Sequence, residues 1–95
     1  MTREEFYEKY SDVKVKFSTY YKYTFTYVGE LSDGGKISVG YGGHYDDIYR
    51  YDVSADCEKT VNSIYPYCGT AYDKDGKVVD EFYDYWRHLM NWHND

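Results

Sequence analysis

Val13-Lys14-Val15-Lys16-Phe17-Ser18-Thr19-Tyr20-Tyr21-Lys22-Tyr23-Thr24-Phe25-Thr26-Tyr27-Val28 is the stretch on which the fold turns. Val13, Val15, Phe17, Tyr21, Tyr23, Phe25 and Tyr27 fall on odd positions, and Lys14, Lys16, Ser18, Lys22, Thr24 and Thr26 on even ones. A helix would scatter these residues around its axis, whereas a pleated strand sends alternate side chains to opposite faces. The segment therefore reads as strand, with an aromatic face and a lysine/threonine face. Kept straight it would reach past roughly 50 Å at about 3.3 Å per residue, too long for a small domain with a radius of gyration near 12 Å. It must bend or break. With no Gly, Pro or Asn-Gly pair to signal a tight turn, the bend is expected at Ser18 to Tyr20, by a bulge or a strong coil.

On either side the signals are shorter. Thr2 and Glu5 have capping-box spacing, and Phe6, Tyr7 and Tyr10 supply an apolar edge, which predicts a helix from Arg3 to Tyr10 docked on the sheet. Ser32-Asp33-Gly34-Gly35 is a turn, and Ile37, Val39 and Tyr41 alternate along a strand from Lys36 to Tyr41, completing a hairpin. After a loop at 44–47, Tyr49, Tyr51 and Val53 predict a third meander strand. Ser54 can cap a short helix from Ala55 to about Ser63, although Thr60, Val61 and Ile64 suit a strand equally. Pro66 ends that element and drives Tyr65 out of helical geometry. A second hairpin follows, Tyr67 to Tyr72 and Lys77 to Val79 around Asp73-Lys74-Asp75-Gly76. From Asp80 to His93, Phe82, Tyr85, Trp86, Leu89, Met90 and His93 keep helical spacing, predicting a C-terminal amphipathic helix with Asp80 and Glu81 in its first turn. The expected fold is α+β: a single domain, 1–95, with an antiparallel meander of about four or five strands and a helix from each end packed on it.

Composition narrows the function. Of 95 residues, 42% are hydrophobic and 22% aromatic, more than a disordered chain carries. Fifteen of the aromatics are tyrosine, an apolar body with a wet hydroxyl that suits contact surfaces. No run approaches the roughly 20 apolar residues of a membrane helix, and the charged N-terminus is unlike a signal peptide, so a cytoplasmic protein is expected. Cys57 and Cys68 either bridge in an oxidising compartment or remain two thiols.

Chemistry-bearing motifs fail on spacing. Asp73-Lys74-Asp75-Gly76 places glycine fourth, where a calcium loop needs it sixth. His88 and His93 stand about 140° apart on a helix, off the spacing that grips one metal. Neither Gly34-Gly35 nor Gly40-Tyr41-Gly42-Gly43 opens a helix after a strand, so neither cradles phosphate. No nucleophile elbow exists, and adjacent acids such as Asp46-Asp47 or Asp80-Glu81 are ordinarily solvated. No catalytic residue, cofactor or metal is assigned, and an enzyme is not expected.

Charge is the remaining signal. Up to Tyr45 six acids meet six bases, whereas from Asp46 onward eleven acids meet five, so the net charge of -6 lies wholly in the second part. A focused negative field steers basic surfaces and repels nucleic acid. The candidate partner-binding residues are Tyr45, Asp46, Asp47, Tyr49, Tyr51, Asp52, Asp56 and Glu58, with a second acidic group at Asp73, Asp75 and Asp84. In size, acidity, aromatic richness and mixed helix-sheet pattern the chain resembles the small acidic inhibitors of phages and mobile elements, the anti-CRISPR and anti-restriction proteins. That resemblance implies a protein that occupies the basic nucleic-acid channel of a nuclease effector, where carboxylates compete for cations built to bind phosphates. An immunity or adaptor protein for a basic toxin is the alternative, and a carbohydrate-binding module stacking sugars on Tyr20, Tyr21, Tyr23 and Trp86 is a third.

Overall fold

The computed structural model describes residues 1–42 and 58–84. They form an open antiparallel sheet with two short helices: α1 (Arg3–Tyr10), β1 (Lys14–Tyr21), β2 (Thr24–Glu30), β3 (Lys36–Gly42), β4 (Glu58–Thr60), α2 (Val61–Ile64), β5 (Cys68–Tyr72) and β6 (Val78–Tyr83). The strand order is β4-β1-β2-β3-β5-β6. Six strands among the described residues exceed the four or five expected. The predicted strand at Tyr49 to Val53 lies outside the described residues.

The opening stretch is two strands, not one. A bulge does occur where expected, with the register shifting between Phe17 and Thr19, but the chain reverses later, through a two-residue turn at Lys22-Tyr23. Both turn residues have positive φ, 48° and 64°, as the twist of a tight hairpin demands. Lysine and tyrosine rarely take that conformation, so the sequence carries no turn signal there. The bulge also breaks the odd-even phase: Phe17 and Tyr20 both pack on the core face, while Tyr21 is 70% exposed on the other.

The other hairpin turns follow the glycine rule. In Leu31 to Gly35 and again in Asp73 to Lys77 the first residue donates its amide to the fifth carbonyl, and the fourth is a glycine at φ 90° or 84°. Asp33 and Asp73 each accept the amide two residues on, bracing the turn.

Among the described residues, the helices cover one face of the sheet and leave the other open. Thr2 and Glu5 form the expected capping box, and α1 lays Phe6 and Tyr10 over β5 and β6. Gly69 makes the room: a Cβ there would lie 2.8 Å from the Phe6 ring and 2.9 Å from that of Phe82. Val15, Phe25, Tyr27, Ile37, Val39, Val61 and Ala71 complete this core. The opposite face carries the even residues of β1 before the bulge and of β2 and β3, among them Lys14, Lys16, Thr24, Thr26 and Lys36, with Val28 exposed between them.

Two expectations are corrected in the second half. The 55–64 segment is, where described, neither all helix nor all strand. Glu58–Thr60 pairs with β1, and Thr60, not Ser54, caps a single helical turn that ends with Tyr65 in the left-handed region before Pro66. The C-terminal helix does not begin at Asp80. Val78–Tyr83 is strand, with Phe82 opposite Gly69 and Asp80 opposite Ala71. The β-branched pair Val78-Val79 and the waiting edge of β5 outweigh the helical spacing from Phe82 onward. The rest of the expected helix, 85–93, lies outside the described residues. Cys68 is a free thiol, and Cys57 also lies outside.

Candidate partner-binding surface

Most of the expected site, Tyr45, Asp46, Asp47, Tyr49, Tyr51, Asp52 and Asp56, lies outside the described residues. The four described members are spread over the sheet. Glu58 sits on β4, at the edge far from β5 and β6, and its carboxylate is 3.7 Å from the Lys14 ammonium. Asp73 turns inward to its own hairpin, accepting the amides of Asp75 and Lys77. Asp84, half-buried, lies 3.4 Å from the Arg3 guanidinium. Asp75 alone projects into solvent without a polar partner for its side chain.

What the structure gathers instead is a strip along β6. Val78 and Tyr83, 53% and 56% exposed, share one face of β6, an edge strand among the described residues, and Val79, 51% exposed, is turned to the helix side. The unpaired carboxylate of Glu81 stands between Val78 and Tyr83, and Asp75 lies at the hairpin end. Tyr83 packs edge-on to Tyr67, whose hydroxyl meets that of Thr24 at 2.8 Å, so this part of the strip rests on a fixed base. Read as the first turn of a helix, residues 80–83 could not show this. The signal that could have found it is Val-Val directly after a glycine hairpin turn, with Phe82 in phase to face inward.

The strip is backed by the N-terminus. The Met1 ammonium donates to the Glu81 carbonyl at 3.0 Å, and Arg3 reaches Asp84 while lying 5.9 and 5.8 Å from the Tyr7 and Tyr65 ring centres. Lys9 donates to Asp80 at 2.7 Å, and the Tyr10 hydroxyl donates to the same oxygen. Those two donors hold the Asp80 carboxyl below the usual carboxylate range. Burial, with Asp80 beside it, pushes the Tyr10 phenol up. On the open face, burial raises the Cys68 thiol, which keeps it protonated and a poor nucleophile.

Two shallow grooves, of about 470 and 550 Å³, meet at Val28 and Lys36 on the open face. The first runs between the two glycine turns, and the second passes Lys14, Lys16 and Glu58. Among the described residues no three His, Cys, Asp or Glu side chains converge to hold a metal ion, and no helix is long and apolar enough to cross a membrane. No protein-family model, curated protein or solved structure matches the chain.

Proposed function

We propose that this chain is a non-enzymatic inhibitor that binds a protein partner, a nuclease effector of the CRISPR or restriction type, and blocks its basic nucleic-acid channel. The supporting observation is the β6 strip: the half-exposed Val78 and Tyr83 flank the unpaired carboxylate of Glu81 on one face at the edge of a braced sheet, with Val79 exposed on the other face. Exposed apolar clusters on a small protein mark contact surfaces, and tyrosine supplies contact area at low entropic cost. The surplus negative charge steers such a surface toward lysines and arginines. Action would fall in the host cytoplasm, where those nucleases work.

The test is inhibition with competition. The purified chain is titrated into DNA-cleavage reactions of a panel of CRISPR effectors and restriction nucleases, with labelled guide RNA or DNA followed in parallel. Inhibition with displacement of the nucleic acid is expected, weakened about tenfold by V78D or E81K, each altering an exposed side chain at the contact. Binding without displacement would make the chain an adaptor or immunity protein. Inhibition of no nuclease in the panel would end the reading.

A further inference from the structure

The outer edge of β6 also offers hydrogen bonds. Asp84 donates its amide to the Tyr67 carbonyl across the β5–β6 ladder. Because peptide groups alternate sides along a strand, Phe82 and Asp84 turn toward β5 and Glu81 turns its N–H and C=O outward. The Glu81 carbonyl is already engaged from that side by the chain's own N-terminal ammonium. A cationic donor thus occupies the place that the N–H of an added strand would take.

We infer that β6 docks a partner by strand addition at Glu81, taking a short extended segment in which a lysine or arginine has an apolar residue two positions away on either side, and that the Met1 ammonium competes with it. This rests on the reading of the β6 strip as the partner-facing surface. The side chains specify the occupant. Glu81 and Tyr83 lie opposite Thr70 and Cys68, and Val78 opposite Tyr72, all on the open face, while Val79 is turned to the helix side beside Lys9 and Tyr10. An incoming cation meets Glu81 as a cross-strand pair, and apolar residues two positions to either side of it, on the same face, meet Val78 and Tyr83. The register shift at Val79 interrupts the edge, so the docked segment is only a few residues long.

The probe is the peptide acetyl-Thr-Val-Thr-Lys-Thr-Val-Thr-amide, with a glutamate-for-lysine version as control, titrated into the isotope-labelled full chain and followed by amide NMR and hydrogen exchange. The lysine peptide is expected to shift the Glu81 amide and slow its exchange, and the glutamate peptide to do neither. Glu81→Pro removes the outward N–H at an edge position where proline is tolerated, and should weaken the peptide about fivefold beyond Glu81→Gln, which removes only the charge. Acetylating the N-terminus removes the competing ammonium and should tighten binding. Equal losses in the proline and glutamine variants, or binding without protection of the Glu81 amide, would overturn strand addition while leaving the protein-binding reading intact. Indifference of nuclease inhibition to V78D and E81K would instead remove the surface itself. Should Glu81→Pro fail to fold, exchange at Glu81 in the unaltered chain decides.

Discussion

Lys22 and Tyr23 both hold positive φ in the β1–β2 turn, a conformation that costs a residue with a Cβ roughly 1–2 kcal/mol. Pairing of β1 with β2 on both sides of the turn outweighs that cost. Substitutions at Lys22 should therefore sort by tolerance of the left-handed region: K22N should be more stable than K22V by about 1–2 kcal/mol in denaturant titrations, because a β-branched residue is the worst fit there. Gly69 is governed by space. G69A drives a methyl into the Phe6 and Phe82 rings and should cost about 1–3 kcal/mol. The double variant with Phe6→Leu should lose less than the sum of the two, the two residues being in contact. Residue-scale legibility divides along the same line. Gly34 and Gly76 were readable as turn residues because only glycine takes their φ cheaply. Lys22 and Tyr23 were not, because nothing in their chemistry asks for the conformation that their neighbours impose.

Between elements, the attachment of α1 to β6 combines the fully buried Phe6 with a polar latch of Lys9, Tyr10 and Asp80. Asp80 titrates below its unfolded value, so its contribution is present above the ordinary carboxylate range and is lost as acid protonates it. Lys9, raised chiefly by its bond to Asp80, and Tyr10, raised chiefly by burial, both favour the folded state until alkaline titration removes their protons. Thermal stability should accordingly fall below about pH 4 and above about pH 10. In D80N the acid-side fall should be visibly shallower, with a lower plateau at neutral pH, and a D80N profile parallel to that of the unaltered chain would exclude the latch. At this scale α1 was legible, since Thr2, Glu5 and the aromatic positions lie within one short window. β6 was misread because Phe82 fits both periods: helical with Tyr85, Trp86 and Leu89, or inward-facing in a strand opposite Gly69. Only the presence of β5 decides between them.

In the molecule as a whole, the helices share one apolar layer with strands drawn from both ends of the sequence, Val15 and Val61 beside Ala71 and Phe82. Unfolding should thus be one cooperative event, with far-UV circular dichroism and tyrosine fluorescence giving coincident denaturation curves. Separate transitions for the two halves would contradict a shared core. Charge behaves differently. The acidic excess was plain in the sequence, but Glu58, Asp73 and Asp84 are drawn to Lys14, to turn amides and to Arg3, while Glu81 and Asp75 are left outward beside valines and a tyrosine. By itself the sequence determined the period-two strands, the glycine turns and the capped N-terminal helix, because each depends on sterics and hydrogen bonds among residues a few positions apart. Tertiary structure decided the reversal at Lys22-Tyr23, the strand at Val78–Tyr83 and which carboxylates remain unpaired, because those outcomes depend on the strand, ring or cation that the rest of the chain brings alongside.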